Sequence, residues 1–96
     1  MYNYKHRKYE ENIMFIIKIF HKDGKIELYN NPSYVYFNPN YKYDNLKPGA
    51  LHINDGSGLN SITVLQDDTQ TPLDLLYGKI EKAIEEGGIV TIYLNK

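Results

Sequence analysis

The chain is 96 residues long with a formal net charge of −1, and it contains no cysteine. That length admits one domain of ordinary size. Hydrophobic residues at 42% and charged residues at 24% fit a packed globular chain rather than a disordered tail or a membrane protein. With no thiols, disulfide stapling, thiolate metal sites and cysteine nucleophiles are excluded, so packing alone must hold the core.

Residues 1 to 12 are polar and aperiodic and read as a flexible amino-terminal arm ahead of a single α+β domain spanning 13 to 96. The arm lacks a long apolar core and a small-residue cleavage site, so it does not read as a secretory signal, and the chain reads as cytoplasmic. No window reaches the ~18 apolar residues of a membrane span. The run Ile13 to Phe20 is short and rich in β-branched and aromatic residues, which favours a strand over a helix. Both of its faces are apolar: Phe15, Ile17 and Ile19 point one way and Met14, Ile16 and Phe20 the other, as in a strand interior to a sheet. The Asp23-Gly24 pair supports a tight turn, and Ile26 to Tyr29 returns as the next strand.

From Asn30 to Gly49 the chain turns proline- and asparagine-rich, and five of its ten tyrosines lie between Tyr29 and Tyr43. Only Tyr34 to Phe37 has strand composition there, and the bracketing Pro32 and Pro39 confine it to an edge. The rest reads as a long loop, uncommon in a compact domain unless it serves function or holds itself together. Ala50 to Asn54 and Ser61 to Leu65 alternate with Leu51, Ile53, Ile62 and Val64 facing inward, joined by the turn cluster Asp55 to Gly58.

The helix has the clearest signals. Thr71-Pro72-Leu73-Asp74 offers a hydroxyl N-cap, a proline at the first turn and an early carboxylate. Leu73, Leu76, Tyr77, Ile80, Ala83 and Ile84 form one stripe, and Gly87-Gly88 supplies a left-handed stop. Gly78 within it reads as a tolerated position. Ile89 to Leu94 follows as a terminal strand with Val90, Ile92 and Leu94 toward the helix.

The expected fold is therefore α+β, a mainly antiparallel sheet of about five strands with one helix in the carboxy-terminal half packed on one face. A helix of ~15 residues is ~22 Å long and ~10 Å wide, whereas five strands span ~24 Å. One helix covers one face. The reverse, with Met14, Ile16, Phe20, Thr91 and Tyr93, is too apolar to stay bare, so either the tyrosine loop or a second chain must cover it.

Chemistry is sparse. His6, His21 and His52 lie at no metal-ligand spacing, and His52 falls on the outward face of its strand. The Asn54 to Ser61 segment resembles neither a phosphate loop nor a calcium loop and reads as a hairpin loop, with an anion nest as the sharper alternative. Asp67-Asp68 reads as a solvated acidic turn. No catalytic constellation, metal or cofactor is expected. Two functions from different classes remain. One is a small non-catalytic protein-interaction domain, an inhibitor or accessory factor, binding a protein or itself as a homodimer through Tyr29, Tyr34, Tyr36, Tyr41, Tyr43 and Tyr93. The alternative is a module for single-stranded nucleic acid or a nucleotide, with rings stacking bases while Lys5, Arg7, Lys8, Lys18, Lys22 and Lys25 meet phosphates. It requires rings and cations on one side. The near-neutral net charge disfavours generic duplex binding.

Overall fold

A computed structural model describes residues 14 to 96. The order is β1 (Phe15–Phe20), β2 (Ile26–Asn30), β3 (Tyr34–Asn38), β4 (Ala50–Asn54), β5 (Ser61–Leu65), α1 (Leu73–Glu86) and β6 (Gly88–Tyr93), with a 3-10 turn at Gln66–Asp68 before the helix. The expected amino-terminal arm lies outside the described residues.

The described strands form two three-stranded sheets, ordered β2-β1-β6 and β3-β4-β5, which corrects the expected single, mainly antiparallel sheet of about five strands. Two local causes account for the split. After β2 the backbone turns at Asn31, which adopts a positive φ of 48°. There its amide Oδ1 accepts the Phe15 N–H at 2.9 Å, and Pro32 follows, so the chain leaves the first sheet and begins a second. At the other end, α1 returns the chain so that β6 meets the free side of β1 in parallel, from Phe15 opposite Gly88 to Phe20 opposite Tyr93. β1 is thus central, as its two apolar faces require, and it pairs antiparallel with β2 on its other side. The second sheet is antiparallel throughout. β3 is one of its edges, as the flanking prolines dictate.

One core joins the sheets and the helix. Phe15, Ile17, Ile19, Val90 and Ile92 from the first sheet meet Val35, Leu51, Ile53 and Val64 from the second, and Leu73, Leu76, Ile80, Ala83 and Ile84 from α1. Each fully buried Leu, Ile, Val or Phe contributes ~1.5–3 kcal/mol of transfer free energy. The helical stripe and the inward alternation of each strand are as the periodicity requires, with Ile62, Tyr77 and Leu94 partly buried at the margin.

The helix start differs from expectation. Pro72 occupies the N-cap with no side-chain cap of its own. Instead Gln66 reaches over from the 3-10 turn: its Oε1 accepts the Leu73 N–H at 2.9 Å, and its Nε2 donates to the Thr71 carbonyl at 3.2 Å. The stop is as expected, with Gly87 at a φ of 83° and its N–H donating to the Ala83 carbonyl at 2.7 Å. Gly78 is exposed, and a Cβ there would meet nothing within 4 Å, so the position is tolerated and forces no close approach. Asp68 corrects the expected solvated turn. It is buried, with its main-chain carbonyl accepting the Asn95 N–H at 2.9 Å and its carboxylate 3.4 Å from Lys96 Nζ. Among the described residues no helix is long and apolar enough to cross a membrane.

Candidate functional site

With Phe15, Ile17 and Ile19 turned inward, the alternation of β1 sends Ile16, Lys18 and Phe20 to the outer face of the first sheet. Pairing then builds rows across that face: Ile26, Phe20 and Tyr93; Leu28, Lys18 and Thr91; Asn30, Ile16 and Ile89. The result is apolar and open. Met14 is 57% exposed, Ile26 51%, Leu28 55%, Ile89 62% and Tyr93 67%. The Tyr93 ring stacks on Phe20 at 5.2 Å between centroids. Lys18 Nζ lies 5.3 Å from the same Phe20 ring, so the one cation in these rows stretches its aliphatic stem over the apolar surface. The tyrosine-rich segment does not cover this face, because it contributes β3 to the other sheet.

The six expected contact tyrosines do not share one surface. Tyr29 is 3% exposed and sits in the core, which removes it from the expected contact surface. Opposite Ile17 in the register, it faces the core and sends its hydroxyl to Glu27 Oε2 at 3.2 Å, while Glu27 Oε1 lies 2.5 Å from His21 Nε2. Burial, reinforced by the Glu27 carboxylate, pushes the Tyr29 phenol up to about 12. Tyr34 and Tyr36 lie on the outer face of the second sheet, opposite Asn54 and His52. Tyr36 stacks on the His52 ring at 5.8 Å, Tyr41 meets that ring edge-on at 5.5 Å, and Thr63 Oγ1 is 3.1 Å from His52 Nδ1. Burial among these groups holds the imidazole below its ordinary value. Tyr34, Tyr36, His52, Asn54, Ser61 and Thr63 line an open groove of about 360 Å³. Tyr43 is exposed in the following loop, and Tyr93 belongs to the first sheet.

The cations of the alternative reading lie elsewhere. Lys18 is on the outer face of β1, Lys22 and Lys25 flank the β1–β2 turn, and Lys5, Arg7, Lys8 and His6 are outside the described residues. Tyr34, Tyr36 and Tyr41 therefore gather on the second sheet, whereas Lys18, Lys22 and Lys25 belong to the first, where Lys18 lies over the Phe20 ring that stacks on Tyr93. The β4–β5 loop spends its donors on itself. Asn54 Oδ1 accepts the Gly56 N–H at 2.7 Å, Asp55 Oδ1 accepts the Ser57 N–H at 2.8 Å and the Ser57 hydroxyl at 2.7 Å, and Ser57 Oγ accepts the Leu59 N–H at 3.0 Å. The Ser57 bonds hold the Asp55 carboxyl below the usual carboxylate range. This is a self-closed turn rather than an anion nest. Among the described residues no three His, Asp or Glu side chains gather to hold a metal ion.

Ile26, Leu28 and Ile89 are the exposed residues of the first sheet that periodicity had not marked. Ile89 shares the parity of Thr91 and Tyr93, so its placement was available; Ile26 and Leu28 needed the β1–β2 register. Compared with known proteins, the chain matches no protein-family model, no curated protein and no solved structure.

Proposed function

We propose that this chain is a small non-catalytic protein-interaction domain whose contact surface is the outer face of β2-β1-β6. What supports this reading is one observation: Met14, Ile26, Leu28, Ile89 and Tyr93 stand together on a single sheet face, each more than half exposed. A contiguous apolar patch of that kind, carrying a single lysine within its rows, marks a protein contact rather than a solvated surface. Tyr93, stacked on Phe20, is the aromatic anchor of the face. The ring cluster around His52 forms a separate surface on the other sheet.

The test replaces Leu28, on the outer strand of the face, by lysine. Light scattering after size exclusion, together with affinity capture from the source lysate, is expected to give a stoichiometric complex that Leu28→Lys dissociates and Tyr34→Ala does not. Two results would sink the proposal. One is an uncomplexed wild-type chain under all conditions. The other is a complex whose mass is unchanged by Leu28→Lys.

A further inference from the structure

We propose that a second copy of the chain adds to the first sheet edge to edge, through an antiparallel β6–β6 pair centred on Thr91, whether or not the outer face also takes another protein. Within the first sheet, β6 bonds to β1 through its even-numbered residues: the Gly88 N–H donates to the Met14 carbonyl and the Leu94 N–H to the Phe20 carbonyl, both at 2.9 Å. In a parallel ladder this leaves the N–H and C=O of Ile89, Thr91 and Tyr93 directed away from β1. Among the described residues no strand meets that edge.

Edge strands are ordinarily protected by charge, proline or brevity. Gly88–Tyr93 has six residues, GIVTIY, with neither a charge nor a proline. The other edges are less inviting. β2 carries Glu27, β3 is bracketed by Pro32 and Pro39, and the exposed side chains of β5 are Ser61 and Thr63. A second copy is favoured over an unrelated extended peptide because the β6 edge is self-complementary. A two-fold axis at Thr91 places Thr91 opposite the partner's Thr91 and Ile89 opposite the partner's Tyr93. Every such pair is hydrogen-bonded, since all three residues present their backbone groups outward. On the outer face, Ile89 and Tyr93, 62% and 67% exposed in the monomer, become β-branched–aromatic cross-strand neighbours.

A groove of about 450 Å³ runs along β6 beside the helix, lined by Lys79, Lys82, Ala83 and Glu86 among others, so room for an incoming strand exists there. The connection from α1 to β6 is Gly87 alone, which makes helix and strand run antiparallel.

The full chain is examined by sedimentation equilibrium across a concentration series. A monomer–dimer equilibrium is expected for the wild type. Thr91→Pro removes an N–H that bonds to nothing within the sheet, and Ile89→Lys places a charge on the exposed edge; both should give monomer with native circular dichroism. A wild type that stays monomeric at every concentration, or a dimer indifferent to both Thr91→Pro and Ile89→Lys, overturns the pairing. A monomeric wild type that still captures a partner in a Leu28-dependent manner overturns the pairing and leaves the interaction face standing. A dimer lost in Thr91→Pro and retained in Leu28→Lys supports the β6 edge and speaks against the face.

Discussion

Ionising the phenol of Tyr29 should destabilise the protein, and Tyr29→Phe should remove that pH dependence. Tyr29 is 3% exposed, its hydroxyl donates to Glu27, and its pKa is pushed up to about 12 from 10.0. An unfolded chain releases this proton near pH 10, whereas the folded chain keeps it. Above pH 10 the native state therefore holds more protons, and stability falls as pH rises. The contribution is fully present below pH 10 and is lost as pH passes through about 12. For a shift of this size the loss is ~1.4 kcal/mol by pH 11 and ~2 kcal/mol by pH 12. Urea unfolding of wild type and Tyr29→Phe from pH 8 to pH 12 isolates this effect, because every other side chain is the same in both chains. Tyr29→Phe should start ~1–2 kcal/mol less stable at pH 8, having lost a bond to a carboxylate, and the gap should close as pH rises. Parallel pH profiles would refute the placement of this hydroxyl against Glu27 in the core.

Further outcomes follow from the helix and the second sheet. Gly78→Ala should stabilise the chain by ~1 kcal/mol, raising the thermal midpoint by ~4–8 °C, since the added methyl meets open space; a loss of stability would show a close approach at that position. Gln66→Ala should cost ~1–2 kcal/mol in urea unfolding by freeing the Leu73 N–H, while Thr71→Ala costs less than half as much; the reverse order would restore the local threonine cap. His52 is held below its ordinary value by burial, so the unfolded chain takes up a proton first as pH falls through ~6.5. Thermal melts between pH 7.5 and pH 5 should show stability declining over that window in the wild type and a flatter profile in His52→Gln; identical slopes would refute the packing of Tyr36 and Tyr41 against this ring.

Strand positions and the helical stripe were legible because alternation and 3.6-residue spacing are local properties. What alternation cannot carry is the identity of a partner or the direction of pairing, so the split into two sheets and the parallel approach of β6 were not written in any one window. Tyr29 illustrates the limit within a single strand. In Ile26-Glu27-Leu28-Tyr29 the aliphatic residues suggest one inner face, yet the register with β1 puts Tyr29 beside Ile17 and turns Leu28 outward beside Lys18. The helix cap failed for a related reason. Thr71 has the composition of a cap, but Gln66, seven positions before Leu73 in a 3-10 turn, supplies the acceptor, and no short motif encodes that reach. Asp68 is buried by residues at the far end of the chain, beyond any local window. The outer apolar face was foreseeable from Met14, Ile16, Phe20, Thr91 and Tyr93; its width, through Ile26 and Leu28, was not.

The parallel pairing of β1 with β6 bears on how the domain is made. Phe15 and Gly88, neighbours in the sheet, are separated by nearly the whole domain, so during synthesis the most apolar strand emerges long before the one that seals its second side. Until then Ile16, Lys18 and Phe20 present unsatisfied backbone groups on a sticky hairpin, the kind of intermediate that chaperones engage. Closing so long a loop also slows the search for the native arrangement, and a nascent chain halted before Gly88 would be left as a hairpin in want of its last strand.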